Sequence, residues 1–144
     1  MPSVSETALQ ALFALLQTVT PAGADVRRME VFPQKLGPGG NFILRDGDAG
    51  EPDVTFGVRS YQFQRTAMIE VAISNLVSAT RSQILDDFLV ALDVAIQADP
   101  TLGGIVDWCQ AQAPMEPEGE PFAAGALSIL VPVLLVYEST SPIG

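Results

Sequence analysis

The stretch FAAGALSILVPVLLVY, residues 122–137, narrows the fold of this chain more than any other. A membrane-crossing helix needs about 20 consecutive apolar residues. This run is shorter, is interrupted by Ser128 and Pro132, and is flanked by Glu120 and Glu138. Its odd positions, Leu127, Ile129, Val131, Val133, Leu135 and Tyr137, are all apolar, whereas the even ones are mixed. That alternation predicts a strand with one face buried and the other at least partly covered. Pro132 has no amide to donate, which predicts an edge strand or a bulge at that point. Such a strand requires partners in a sheet and a second layer to bury its apolar face.

The rest of the chain supplies both. Residues 4–18 read as a helix: Ser3 and Glu6 have capping-box spacing, and Leu9, Leu12, Phe13 and Leu16 form an apolar stripe. Pro21 and Gly23 end it. DVRRMEVF, to about Phe32, predicts a strand, and the Gly- and Pro-rich residues 33–41 a flexible loop. FILR and VTFGVRSYQF are strand-like, with the polar DGDAGEPD as a hairpin turn between them. Apolar parity flips near Ser60, which predicts a bulge or bend. In RTAMIEVAIS, Ala67, Ile69, Val71 and Ile73 take one face, and Thr66, Glu70 and Ser74 the other.

A second helix is expected from Thr80, with Gln83 in capping-box position, to about Ala98. Ile84, Leu85, Phe88, Leu89, Leu92, Ala95 and Ile96 form its wide apolar face. Asp99 precedes Pro100 and is pushed out of the helical region. GIVDWCQ predicts a short strand, residues 111–123 an acidic loop, and STSPIG a loose tail. The order α-β-β-β-β-α-β-β predicts an α+β fold. It is a single domain over 1–144, a mostly antiparallel sheet with two helices packed on one face.

Charge narrows the partners. Seventeen acidic against seven basic residues and no His leave a net charge of -10. That disfavours nucleic-acid binding by phosphate neutralisation and docking on anionic membranes. One Cys excludes an intrachain disulfide and a thiolate-rich metal site. Cys109 reads as a small apolar residue. The N-terminus lacks the pattern of a signal peptide, so a soluble intracellular product is expected. The seven basic residues, among them Arg27, Arg28 and Arg65, are expected to pair with acids on the sheet surface or to anchor a protein interface.

Motifs for chemistry are sparse. A phosphate loop has a strand before its glycines and a helix after them. Gly103-Gly104 has a helix before and a strand after, and no Lys-Ser/Thr follows, so ADPTLGG reads as a turn. Asp46, Asp48, Glu51 and Asp53 could offer oxygens to a hard cation, but not at EF-hand spacing. Without His the usual nucleophile–base pairs are missing. No catalytic residue, cofactor or metal is assigned. Lys35, Asp46, Asp48, Glu51, Asp53, Glu116, Glu118 and Glu120 lie in expected loops and are candidate interface residues.

The organisation as a whole resembles the tail terminator, or tail-completion, proteins of long-tailed phages and phage-derived particles. The resemblance rests on ALQALFALLQTV leading into PAGADVRRME, and on RTAMIEVAISN followed by RSQILDDFLVALDVAIQADPTLGG. It continues through IVDWCQAQAP and GALSILVPVLLVYESTSP. It implies a structural virion subunit that forms a ring, usually a hexamer, assembled in the host cytoplasm. The ring caps the tail tube, stops its polymerisation and offers a joint to the head connector. DNA passes through its lumen without specific binding, and a negative lumen suits that passage. A neck or head-completion protein of the same particle is the alternative. A small group-transfer enzyme or a cation-binding module using residues 46–53 are more distant ones.

Overall fold

The structure, a computed structural model, describes residues 2–20, 25–28, 40–55, 57, 59–74, 78–115 and 126–144. Helix α1 spans Val4–Val19. Ser3 caps it in an extended conformation, its Oγ accepting from the Glu6 amide at 3.0 Å, which satisfies one orphan donor of the first turn. The capping box is not reciprocal: Glu6 turns its Oε1 to Arg28 instead. The helix ends at Thr20, whose extended backbone is what a residue before proline prefers.

Strands β1 (Asp25–Arg28), β2 (Asn41–Asp48), β3 (Asp53–Thr55) and β4 (Ser60–Ser74) precede helix α2 (Ser78–Ala98). Strands β5 (Trp108–Ala111) and β6 (Ala126–Ser139) complete a six-stranded sheet ordered β1-β2-β4-β6-β5, with β3 also on β4. Among the described residues only the β1–β2 pair is parallel. The element order and the α+β class are those expected from the sequence. β4 and β6 run antiparallel without interruption from Tyr61↔Ser139 to Ser74↔Ala126. This long ladder is the spine of the molecule.

Both helices lie on one face. Ala8, Leu9, Leu12 and Leu16 of α1 share a core with Phe88, Leu92 and Ile96 of α2, with Phe63, Ala67, Ile69, Val71 and Ile73 of β4 and with Val131, Val133, Leu135 and Tyr137 of β6. Ala67, Ile69, Val71 and Ile73 are all excluded from solvent, as their alternation requires. The Phe42 and Phe88 rings meet tilted, with centroids 4.6 Å apart, and join sheet to helix. Ile43 and Ala72, buried on the opposite face, are not part of this core.

Several local expectations are corrected. DGDAGEPD does not reverse the chain. β2 and β3 are both antiparallel to β4 and follow one another along it, with the register slipping between Arg45 and Asp48. The acidic segment is thus a bulged join in one flank of the sheet. Gly47 makes the slip possible. Its φ is +68°, and a Cβ there would collide with the Thr66 carbonyl oxygen. The reversal comes later, in the β3–β4 turn around Gly57, whose φ is +101°. The parity flip near Ser60 is therefore a hairpin, and SYQFQ belongs to the same strand as RTAMIEVAIS.

Pro132 is not at a sheet edge, because β6 pairs with β4 on one side and β5 on the other. Its carbonyl accepts from the Gln112 amide at 2.8 Å just past the end of β5. The next pairing is Met115↔Leu130, so the β5 side carries one residue more than β6 there. The irregularity that proline demands falls on its neighbour. Thr80 is inside α2, not its cap, and Gln83 Nε2 donates to Asp87 at 2.8 Å.

GIVDWCQ contributes a strand only from Trp108. Before it, Leu102, Gly103 and Gly104 all have positive φ, and Asp99 Oδ1 accepts from the Gly103 amide. This is the turn expected of ADPTLGG. The tail is not loose. Residues 140–144 turn back, Ser139 Oγ donates to the Gly144 carbonyl, and Gly144 is buried against Ser5. The expected strand over 29–32 and most of the expected loops 33–41 and 111–123 lie outside the described residues.

Candidate functional site

The candidate interface residues that the structure describes separate into two environments. Asp46 is a structural group. Arg28 Nε and NH2 donate to its two carboxylate oxygens at 3.1 Å each, and Arg28 NH1 donates to Glu6 at 2.7 Å. Arg65 NH1 donates to the carbonyls of Asp46 and Gly47, and Arg65 Nε to the Tyr137 hydroxyl at 3.1 Å. Tyr137 in turn shares a 2.7 Å hydrogen bond with Ser5 and stacks on Phe63. The network ties the start of α1 to β1, the bulge of β2, β4 and β6.

The Arg28 hydrogen bond holds the Glu6 carboxyl below the usual carboxylate range, against the opposing effect of burial. Glu6 raises the Arg28 guanidinium in return. Glu6 Oε2 is shielded from water and has no hydrogen-bond partner among the described residues. Glu6 and Asp46 thus meet on Arg28 as an ion-paired latch.

Asp48, Glu51 and Asp53 are exposed on the bulged flank. Among the described residues, no three acidic, His or Cys side chains stand close enough to hold a metal ion. Lys35, Glu116, Glu118 and Glu120 lie outside the described residues. Among the described candidates, Asp46 is thus set apart from Asp48, Glu51 and Asp53.

A different surface is assembled at the β5 edge of the sheet. A cleft of about 410 Å³ opens between the end of α2 and β5, lined by Asp93, Ile96, Pro100, Trp108, Cys109 and Ala111 among others. Trp108 is 49% exposed, and its Nε1 donates to Gln110 at 3.3 Å. Cys109 is buried beside it, and burial followed by the Asp99 charge pushes its thiol up to about 12. A thiol so held is neutral near pH 7 and a poor nucleophile.

On the helix-free face, Leu130, Leu134 and Val136 of β6 and Met68 of β4 are half-buried, and Val136 pairs with the exposed Trp108. Met115 beside Leu130 is also exposed. Sequence patterning marks β6 as apolar on both faces but does not single out Trp108. Its exposure depends on β5 being the outermost strand, which no local pattern reveals. Val90 and Val94, exposed on the solvent side of α2, were likewise not singled out.

Among the described residues, no helix is long and apolar enough to cross a membrane. Neither the models of known protein families nor curated protein sequences match this chain.

Proposed function

We propose that this chain is a structural assembly subunit of the tail-terminator kind. It forms a ring on the end of a tail tube, stops tube growth and provides the joint to the head or neck. Its place is the virion tail, its partners are further copies of itself, the tube protein and a head connector, and it performs no catalysis. The sequence resemblance raised this reading. The observation that supports it best is the distribution of apolar surface. The helix-free face and the β5 edge together present Trp108, Met115, Leu130, Leu134 and Val136, a combination suited to burial against another protein.

The acidic composition fits the same role. A ring lumen lined by negative charge repels DNA phosphates, so a genome slides through without adhering. The test is tube capping. Purified chain is added to polymerising tail-tube subunits from the same particle, and tube lengths are read by negative-stain microscopy. Shortened tubes bearing a ring at one end are expected. Unchanged lengths and bare tube ends would exclude the reading.

A further inference from the structure

We propose that the cleft beside Trp108 is a receptor for one arginine of a second copy of this chain, Arg59. The inference rests on the ring reading above and specifies the junction between neighbouring subunits.

Arg59 stands apart from the other basic residues. Arg28, Arg45 and Arg65 are held by carboxylates, backbone carbonyls or the Tyr137 hydroxyl. Arg27 and Arg81 also have partners within the chain. Among the described residues, Arg59 is the one basic side chain with no hydrogen bond or ion pair. It is exposed in the β3–β4 turn. Arginine is enriched among the residues that anchor protein contacts.

The cleft offers what a guanidinium needs. Asp93 lines it and accepts from Gln97 Nε2 through Oδ2 at 2.9 Å. The other carboxylate oxygen has no partner among the described residues. Trp108 lines the same cleft, half-exposed, and its bond to Gln110 orients the indole. Ile96 and Pro100 add apolar walls. A planar guanidinium stacks on an aromatic ring and donates to a carboxylate at once, which a compact ammonium does less well. Asp99 and Asp107, exposed beside Pro100 and Trp108, add attraction for a cation.

Position favours a second copy as the donor. β3 and β6 pair with opposite sides of β4, and β5 lies beyond β6. The turn that carries Arg59 and the cleft therefore lie on opposite flanks of the sheet. Tyr61, just after the turn, is opposite Ser139, and Trp108 is opposite Val136. Both sites are thus toward the same end of β6. A copy set alongside at that height presents Arg59 to the cleft. Asp53 sits farther down the hairpin, opposite Gln62, away from the turn. The two surfaces differ, so the contact is head-to-tail and propagates to a ring if the rotation closes.

Charge exchange tests this. Arg59→Glu, Asp93→Lys and the chain carrying both are compared with the wild type, in solution and on tube ends. Mass is read by light scattering over a concentration series, with circular dichroism verifying that each variant is folded. Trp108 is the one Trp in the sequence, so its emission reports occupancy of the cleft directly. The wild-type chain is expected to form rings, with an emission shift that tracks assembly. Each single variant is expected to associate at least about tenfold more weakly, without that shift. The double variant is expected to regain rings, because its reversed charges again complement each other.

Rings that persist in both single variants, or a folded double variant that stays as weak as the single ones, overturn this junction and leave the ring reading standing. Intact rings in Arg59→Glu, with tube capping lost only in Asp93→Lys, would assign the cleft to the tube protein and also overturn it. A wild-type chain that is monomeric at every concentration and on tube ends overturns both readings.

Discussion

Ile69 and Met68 are neighbours on β4 and opposites in environment. Ile69 points into the layer of helices and is inaccessible to water, whereas Met68 points to the helix-free face and is half-buried. The same division runs across the sheet. On one face, Phe42, Phe63, Val133 and Leu135 meet α1 and α2. On the other, Leu130, Leu134 and Val136 lie beside polar Gln64 and Thr66 and the 2.8 Å Arg45–Glu70 ion pair. The first face supplies folding free energy. The second retains apolar surface that folding of the described elements leaves half-exposed.

That contrast can be broken by mutation. The largest effect is expected for Phe88→Ala, which removes a buried ring and its contact with Phe42. A loss of about 3–5 kcal/mol by denaturant unfolding is expected. Ile69→Ala should cost about 3 kcal/mol by the same measurement, from transfer and cavity terms together. Met68→Ala, one residue away, should cost about 1 kcal/mol, in proportion to its partial burial. Equal losses at residues 68 and 69 would show that the two faces are equally packed and would remove the basis for the comparison.

The smallest effect concerns the latch at the end of the sheet. Glu6 has its carboxyl lowered by Arg28 from an ordinary value of 4.5, so its ion pair stabilises the fold above that pH and is lost as the pH falls through the lowered value. Glu6 is partly exposed, with 37% of its side chain accessible. Solvent screening keeps the contribution under about 1 kcal/mol. The wild-type advantage over Glu6→Gln should be present at pH 7 and vanish in strong acid. An advantage that grows on acidification would mean that burial, not Arg28, dominates at this carboxyl.

Much of the fold was legible because strong periodicity leaves little choice. The alternation of Ala67, Ile69, Val71 and Ile73 and the four-residue spacing of Phe88, Leu92 and Ile96 each allow one element type. The turn at Gly103-Gly104 was legible from Pro100 and the order of its flanking elements. The candidate site was less so. Asp46 resembles its acidic neighbours in sequence, yet Arg28 and Glu6, distant in the chain, make it part of a latch. DGDAGEPD carries the composition of a hairpin turn. Whether such a segment reverses the chain or bulges within a flank depends on pairing with β4, and composition does not encode pairing.

The sequence by itself determined the element order, the faces that must be buried and the poverty of basic and thiol chemistry. Each follows from residue type and local spacing. Only the tertiary structure decided that Pro132 sits inside the sheet, that Trp108 stands at its edge, and that β1 and β5 are its opposite margins. Those facts depend on which strands lie side by side. That order is selected by burial and hydrogen bonding summed over residues far apart in the chain.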